Sequence, residues 1–185
     1  MIRPLVFAAG AIALTGCATP EPKEPPLEGI ITLSAGPCLG LCPVYSMRVD
    51  PEDRYRLNAE ANTIKPGRSE GGLPVGTFRR ALDLMERYDF EQMQRSYTGE
   101  TPETCPDRVT GTPTLTIQRK TDDTQKLVTY EVGCLDFAEK DRLDLLVGGL
   151  YRQFRINDLV SVGEPPKIKD KNDTIGDAIN SGGTL

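Results

Sequence analysis

Residues 44–59 read VYSMRVDPEDRYRLNA. Val44, Ser46 and Arg48 alternate with Tyr45, Met47 and Val49, the period of two that sends successive side chains to opposite faces of a strand. Asp50-Pro51-Glu52-Asp53 follows as a turn, with proline preset for its second position. Tyr55, Leu57 and Ala59 alternate on the way back, so the stretch predicts a β-hairpin. Upstream, Ile30-Ile31-Thr32-Leu33 is a short β-type run. Downstream, Leu73-Pro74 can open a helix in which Val75, Phe78, Leu82, Met85 and Tyr88 recur at three and four residues as one apolar stripe. A second hairpin is expected where Thr114, Thr116 and Gln118 alternate with Leu115, Ile117 and Arg119, turn near Asp122-Asp123, and return through Leu127, Val128, Tyr130 and Val132. A last helix is expected from Asp136, with Glu139 three residues on as an approximate capping box. Leu143, Leu146, Val147, Leu150 and Phe154 would form its buried face. Strands joined by hairpins, with two helices among them, predict an α+β domain: an antiparallel sheet built from hairpins with two helices packed on one face.

The first 16 residues are of another kind. A lone Arg3 precedes an apolar run from Leu5 to Leu14, the charged and apolar regions of a secretory signal. A helix of that length is too short to cross ~30 Å of hydrocarbon, which needs ~20 residues. The run ends on Leu14-Thr15-Gly16-Cys17, which resembles the lipobox of bacterial lipoproteins. That resemblance implies a signal peptide over residues 1–16 and a Cys17 that carries a diacylglyceryl group and a further N-acyl chain of the palmitate type. Ala18, rather than Asp, after the cysteine implies an outer-membrane address facing the periplasm. Residues 17–28 hold the anchor and a tether with prolines 20, 22, 25 and 26, a composition that favours a semi-rigid extended chain. At ~3.1 Å per residue such a tether keeps the domain within roughly 30 Å of the lipid. Residues 29–160 have the length of one domain, able to bury about two thirds of its unfolded surface. Residues 161–185 carry Pro165-Pro166, alternating Lys and Asp, and a Ser-Gly-Gly finish, and are expected to be disordered. The formal charge is −5, which argues against nucleic acid as a partner and offers no help in lying on an anionic bilayer.

Cys38-Leu39-Gly40-Leu41-Cys42-Pro43-Val44-Tyr45 leads straight into the first hairpin. It resembles the Cys-x-Gly-x-Cys-Pro-x-Tyr opening of a bacterial family, domain of unknown function 6438. Asp89-Phe90 and Tyr97 correspond to an aromatic step and a later tyrosine of that family. The chain departs from the pattern at residue 39, where Phe is usual, and Cys105 and Cys134 lie outside it. The resemblance implies a fold and an envelope setting, and no activity.

With Cys17 taken by lipid, four cysteines remain, and four allow three pairings. In an oxidising compartment structural disulfides are the default. Cys38 and Cys42 are neighbours in one tight loop, and the second hairpin brings Cys105 and Cys134 to the same end, so the expected bridges are Cys38–Cys42 and Cys105–Cys134. A short exposed bridge is also a candidate for thiol–disulfide chemistry. The spacing, however, is Cys-x-x-x-Cys, and it precedes a strand and not a helix N-terminus that would lower a thiol pKa. A four-thiolate zinc site would want two tight pairs.

The sequence has no histidine, which removes Ser-His-Asp and Cys-His catalysis and His-ligated metals. Gly71-Gly72 and Gly148-Gly149 lack the spacing of a phosphate or dinucleotide loop. The acidic groups Asp50/Glu52/Asp53 and Asp122/Asp123 fall at turns, where solvated side chains are commoner than glycosidase or calcium sites. Tyr45, Tyr55 and Tyr130 read as sheet packing. No catalytic residue, cofactor or metal is therefore expected. The functional expectation is a non-catalytic binding or scaffolding module that meets an envelope protein or polymer while held to the membrane through acylated Cys17. The alternative is a redox module using Cys38 and Cys42.

Overall fold

The computed structural model describes residues 27–100 and 103–160. The expectations for the signal, Cys17, most of the tether and the C-terminal tail fall on residues outside these.

Seven strands form one sheet in the order β4-β3-β2-β1-β6-β7-β5. They are β1 Ile30–Ala35, β2 Val44–Val49, β3 Arg54–Ala61, β4 Gly67–Gly72, β5 Ser96–Tyr97, β6 Thr114–Lys120 and β7 Gln125–Glu131. Both expected hairpins are present, in the registers Met47↔Leu57 and Ile117↔Val128. They are joined by β1, whose Leu33 pairs with Met47 on one side and Ile117 on the other. The fold class is α+β, but the sheet is mixed and not purely antiparallel, because β5 lies parallel to β7. The chain leaves β4 at one edge and reaches β5 at the opposite edge after α1 Thr77–Arg87. It therefore arrives by a crossover, and crossovers permit the parallel pairing that hairpins forbid. Neither β4 nor β5 was expected. β4 reads GRSEGG, without one apolar residue, and is held by backbone pairing to β3 alone; β5 is two residues long. Glycine and charge on β4 suit an edge strand that must not recruit another chain.

Alternate strand residues, among them Ile31, Leu33, Met47, Val49, Leu57, Leu115, Ile117 and Val128, are buried in a single cluster. Phe78, Ala81 and Met85 of α1 belong to that cluster, as do Leu143, Leu146, Val147 and Leu150 of α2 Lys140–Gln153. A four-residue α3, Ile156–Leu159, closes the described chain. Two helix starts differ from expectation. α1 begins at Thr77, which leaves Val75 92% exposed in the preceding turn and off the apolar stripe. α2 begins at Lys140, not Asp136, because Phe137 is drawn out of helical register to stack on Tyr97 at 4.5 Å between ring centroids. Glu139 sits at the helix start and makes no side-chain cap. Lys140 and Asp144, one turn apart and both buried, form an ion pair, and the Tyr130 hydroxyl donates to Asp144 Oδ1 at 2.8 Å. The Tyr130 bond ties α2 to the C-terminal end of β7, and the pairing leaves neither charge bare, as burial requires. Among the described residues no helix is long and apolar enough to cross a membrane.

α1 has no side-chain cap of its own and starts from Gly76, whose φ of +80° suits a residue without Cβ. Its free N–H groups are satisfied from the first hairpin. Asp53 Oδ2 accepts from Gly76 N at 2.6 Å and Oδ1 from Phe78 N at 2.7 Å, while the Asp53 carbonyl accepts from Leu73 N at 2.8 Å. Asp53 is thus no solvated turn residue but a remote cap that locks a hairpin to a helix. Its backbone is left-handed, with φ +59°, a region that Asn tolerates and Ala does not. Asp53→Asn is expected to cost about 1 kcal/mol and Asp53→Ala about 2 kcal/mol or more, from the cap, the helix-end charge and the backbone together. Urea denaturation of the two variants measures this, and equal losses would show that the backbone conformation plays no part.

Candidate functional site

The Cys-x-Gly-x-Cys-Pro-x-Tyr stretch forms the β1–β2 connection, residues 36–43, at one end of the sheet. Cys38 and Cys42 come to disulfide distance, with Cα atoms 5.8 Å apart. Four hydrogen bonds hold the loop to its surroundings or to itself. Gly36 N donates to Thr114 O at 2.8 Å, Leu39 N to Gly111 O at 2.9 Å and Gly40 N to Cys38 O at 3.0 Å, while Asn62 Nδ2 donates to Cys42 O at 3.1 Å. Gly111, at φ +83°, has room for Leu39 only because it lacks a side chain; a Cβ there would press on Leu39 Cβ and Cδ1.

The loop so fixed presents Leu39 and Leu41 to solvent, 88% and 85% exposed. Burying such a side chain is worth about 1.5–3 kcal/mol. A loop pinned by backbone bonds and a crosslink cannot fold these leucines back onto the core. Ile64 and Val109, on the connections after β3 and before β6, are also exposed. The register places those connections at the same end of the sheet as the loop, since Val44 pairs with Ala61 and Ala35 with Leu115.

Cys105 and Cys134 also lie at disulfide distance, with Cα atoms 5.3 Å apart. Cys134 follows β7, and its neighbour across an isolated bridge is Arg108, so this pair belongs to the same end of the sheet. The two pairs differ in access. Cys105 and Cys134 are 5% and 0% exposed, whereas Cys38 and Cys42 are half-buried.

The other residues singled out in the sequence are structural. Phe90 and Tyr97 are core residues; Asp89, beside Phe90, is ion-paired with Arg142 of α2 at 2.8 Å. Asp50 and Glu52 both pair with Arg54, at 3.1 and 3.7 Å. Asp122 and Asp123 are exposed at the β6–β7 turn. Among the described residues no group of three or more His, Cys, Asp and Glu side chains could hold a metal. Tyr130 and Tyr45 are buried and Tyr55 is half-buried.

Tyr45, the last residue of the motif, is a special case. Its buried hydroxyl has no hydrogen-bond partner among the described residues. Burial, and then neighbouring Tyr151, push its pKa well above the ordinary phenol value; Tyr151 is raised by burial as well. A raised tyrosine pKa means that the fold holds the neutral form. The stability linked to it is complete below the unfolded value of about 10 and is lost as pH rises above that value.

Sequence reasoning overlooked one group of residues. Arg48, Arg56 and Arg68 stand on the sheet face opposite the core residues of their strands, around one open groove with Ser46, Asn58 and Glu70. The alternation in residues 44–59 could have placed Arg48 and Arg56 together. Arg68 could not be placed, because β4 has no apolar signature.

Among curated proteins none matches this chain. The family described as Domain of unknown function (DUF6438) matches residues 29–145, from the start of β1 into α2.

Two outcomes are expected. In the loop-entropy account, opening the Cys105–Cys134 link by paired Ser substitution costs about 3.5 kcal/mol, against about 2 kcal/mol for Cys38–Cys42; urea midpoints of the two double variants check the order. Tyr45→Phe leaves stability near pH 7 unchanged or raises it, since an unpaired buried hydroxyl is lost. It also flattens the decline of stability above about pH 10, read from denaturation midpoints across an alkaline series.

Proposed function

This chain belongs to the DUF6438 family, and from that premise we propose that it is a lipid-anchored, non-catalytic binding module of the bacterial cell envelope. In this reading residues 1–16 are removed as a signal, Cys17 is acylated in the outer membrane, and a tether over residues 17–28 holds a periplasmic domain of residues 29–160. The two longer helices cover one face of the sheet and leave the other face and the loop end free for contacts.

The observation that carries the reading is the pair Leu39 and Leu41, held in water at 88% and 85% exposure within the family's own motif. Isolated exposed leucines need no explanation. Two of them on a loop fixed by four hydrogen bonds and a crosslink are arranged as anchors for a partner, because the ordering cost of such a loop is met before binding. Composition supports the absence of catalysis: there is no histidine. Several of the carboxylates are committed to caps and ion pairs. The partner is an envelope protein or polymer with an apolar recess, and nucleic acid is excluded by the acidic balance of the chain.

Photo-crosslinkers placed at residues 39, 41 and 75 in the native envelope test this. Val75 is as exposed and apolar but lies on the turn before α1. One discrete adduct from positions 39 and 41, absent from 75 and weakened about tenfold or more by Leu41→Asp, is the expected outcome. The same adducts from all three positions would overturn the reading.

A second reading rests on the access difference between the cysteine pairs. In it Cys38–Cys42 exchanges with a partner dithiol, which is oxidised to its disulfide while the loop bridge takes up two electrons and two protons to become two thiols. Selective opening of this pair by mild reductant, with a partner trapped as a mixed disulfide on Cys38 in Cys42→Ser, would favour it. A loop pair that resists reduction as firmly as Cys105–Cys134 would remove it.

A further inference from the structure

Net charge hides a local reversal of sign on the uncovered side of the first sheet half. Arg48 of β2 and Arg56 of β3 are direct cross-strand partners. Asn58, two residues further along β3, pairs with Arg68 of β4, which sets Arg68 diagonal to Arg56. The three guanidinium groups line one open groove together with Ser46, Asn58 and Glu70. Like charges directly opposite on a sheet are destabilising, and the usual remedy is a carboxylate within reach. Arg54, the first residue of β3, has two, Asp50 and Glu52. Arg48, Arg56 and Arg68 have no ion pair among the described residues, although Glu70 sits opposite Arg56 in register. The acidic chain thus keeps three exposed cations together without neutralising them.

The groove also offers neutral donors. Ser46 Oγ accepts from Ser34 Oγ at 3.0 Å, which leaves the Ser46 proton to donate. Asn58 gives one amide hydrogen to Glu60 Oε1 at 3.0 Å and keeps the other. Planar guanidinium forks beside hydroxyl and amide donors recognise tetrahedral oxyanions by paired hydrogen bonds.

We propose that this groove, lined by Arg48, Arg56 and Arg68, binds the phosphate of anionic lipid headgroups and so sets the orientation of the domain on the membrane. Two features favour a lipid over a dissolved phosphate compound. The groove lies open on a broad sheet face, whereas small soluble ligands take concave pockets that bury most of their surface. Three cations hold a membrane only weakly by themselves, which is sufficient where a covalent anchor supplies attachment and the patch has only to choose a face. This second feature rests on the proposed Cys17 anchor; the binding test does not. The inference is also separate from Leu39 and Leu41, which lie at the end of the sheet and not in the groove.

The test uses the mature chain with Cys17→Ser, so that only the domain can hold lipid. Its arginine side-chain NMR signals are followed during titration with short-chain phosphatidylglycerol, with short-chain phosphatidylcholine and with pyrophosphate. The expected result is movement of the Arg48, Arg56 and Arg68 signals with phosphatidylglycerol, little with phosphatidylcholine, and none at Arg54. Arg56→Gln should weaken the effect about tenfold, the worth of one charge-assisted fork. Arg54→Gln should leave it unchanged. Because Arg56→Gln removes a like-charge pair, it should melt no lower than the parent, which separates loss of binding from loss of fold. Signals that stay still with phosphatidylglycerol, or equal weakening by Arg54→Gln, would overturn the proposal. Movement with pyrophosphate alone would overturn the lipid as ligand and identify a soluble phosphate compound in its place.

Discussion

Everything in this fold depends on β1 being paired on both sides. Ile31, Leu33 and Ala35 face the core between two hairpins that have no other sheet contact with each other, β2–β3 on one side and β6–β7 on the other. Leu33 meets Met47 and Ile117 across its two ladders, partners separated by 70 positions in sequence. A one-residue slip on either side would turn the apolar face of a hairpin toward water. The strand therefore fixes the relative register of both halves, and with it the position of every loop at the two ends of the sheet. Because β1, near the start of the described residues, pairs with β6, this closure joins contacts far apart in the chain, the kind that slows folding.

Polar groups then do what apolar packing cannot, which is to say where the helices start and which way they lie. Asp53 reaches from the hairpin turn to two N–H groups at the start of α1. Lys140 and Asp144 face inward on α2 and find each other and the Tyr130 hydroxyl. Glu131, buried at the end of β7, accepts from Arg108 and from Gly99 N. Glu131, Lys140 and Asp144 are buried charges that would be costly if left alone, and Asp53 and Glu131 are satisfied from elements other than their own. The ends of the helices are consequently coupled to the ends of the strands.

Two surface features lie outside this framework. At the loop end two leucines are kept in water, and on the sheet face three arginines stand together without an ion pair among the described residues. Neither arrangement improves the stability of the isolated domain. Both are surface arrangements that the packing of the interior does not require. Their chemistry differs, apolar at the rim and cationic on the face.

The sequence by itself determined the two hairpins and much of the apolar stripes of α1 and α2, apart from Val75, because periodicity of two and of about three and a half is written residue by residue; Ala81, Phe90, Met93 and Tyr97 join the core without such a signal. Length, the cysteine arithmetic and the absence of histidine shaped only the expectations about chemistry. Tertiary structure alone decided the rest. β4 carries no apolar residue and β5 is two residues long, so their pairing comes from backbone hydrogen bonds that leave no mark on composition. The start of α2 was set by Phe137 stacking on Tyr97, 40 residues away, and that of α1 by Asp53. The arginine groove needed all three strands in register, since Arg68 is placed only by β4. Local pattern reports which way a side chain points along its own element; which side chains meet depends on the neighbours that the fold supplies, and those are chosen by contacts distant in sequence.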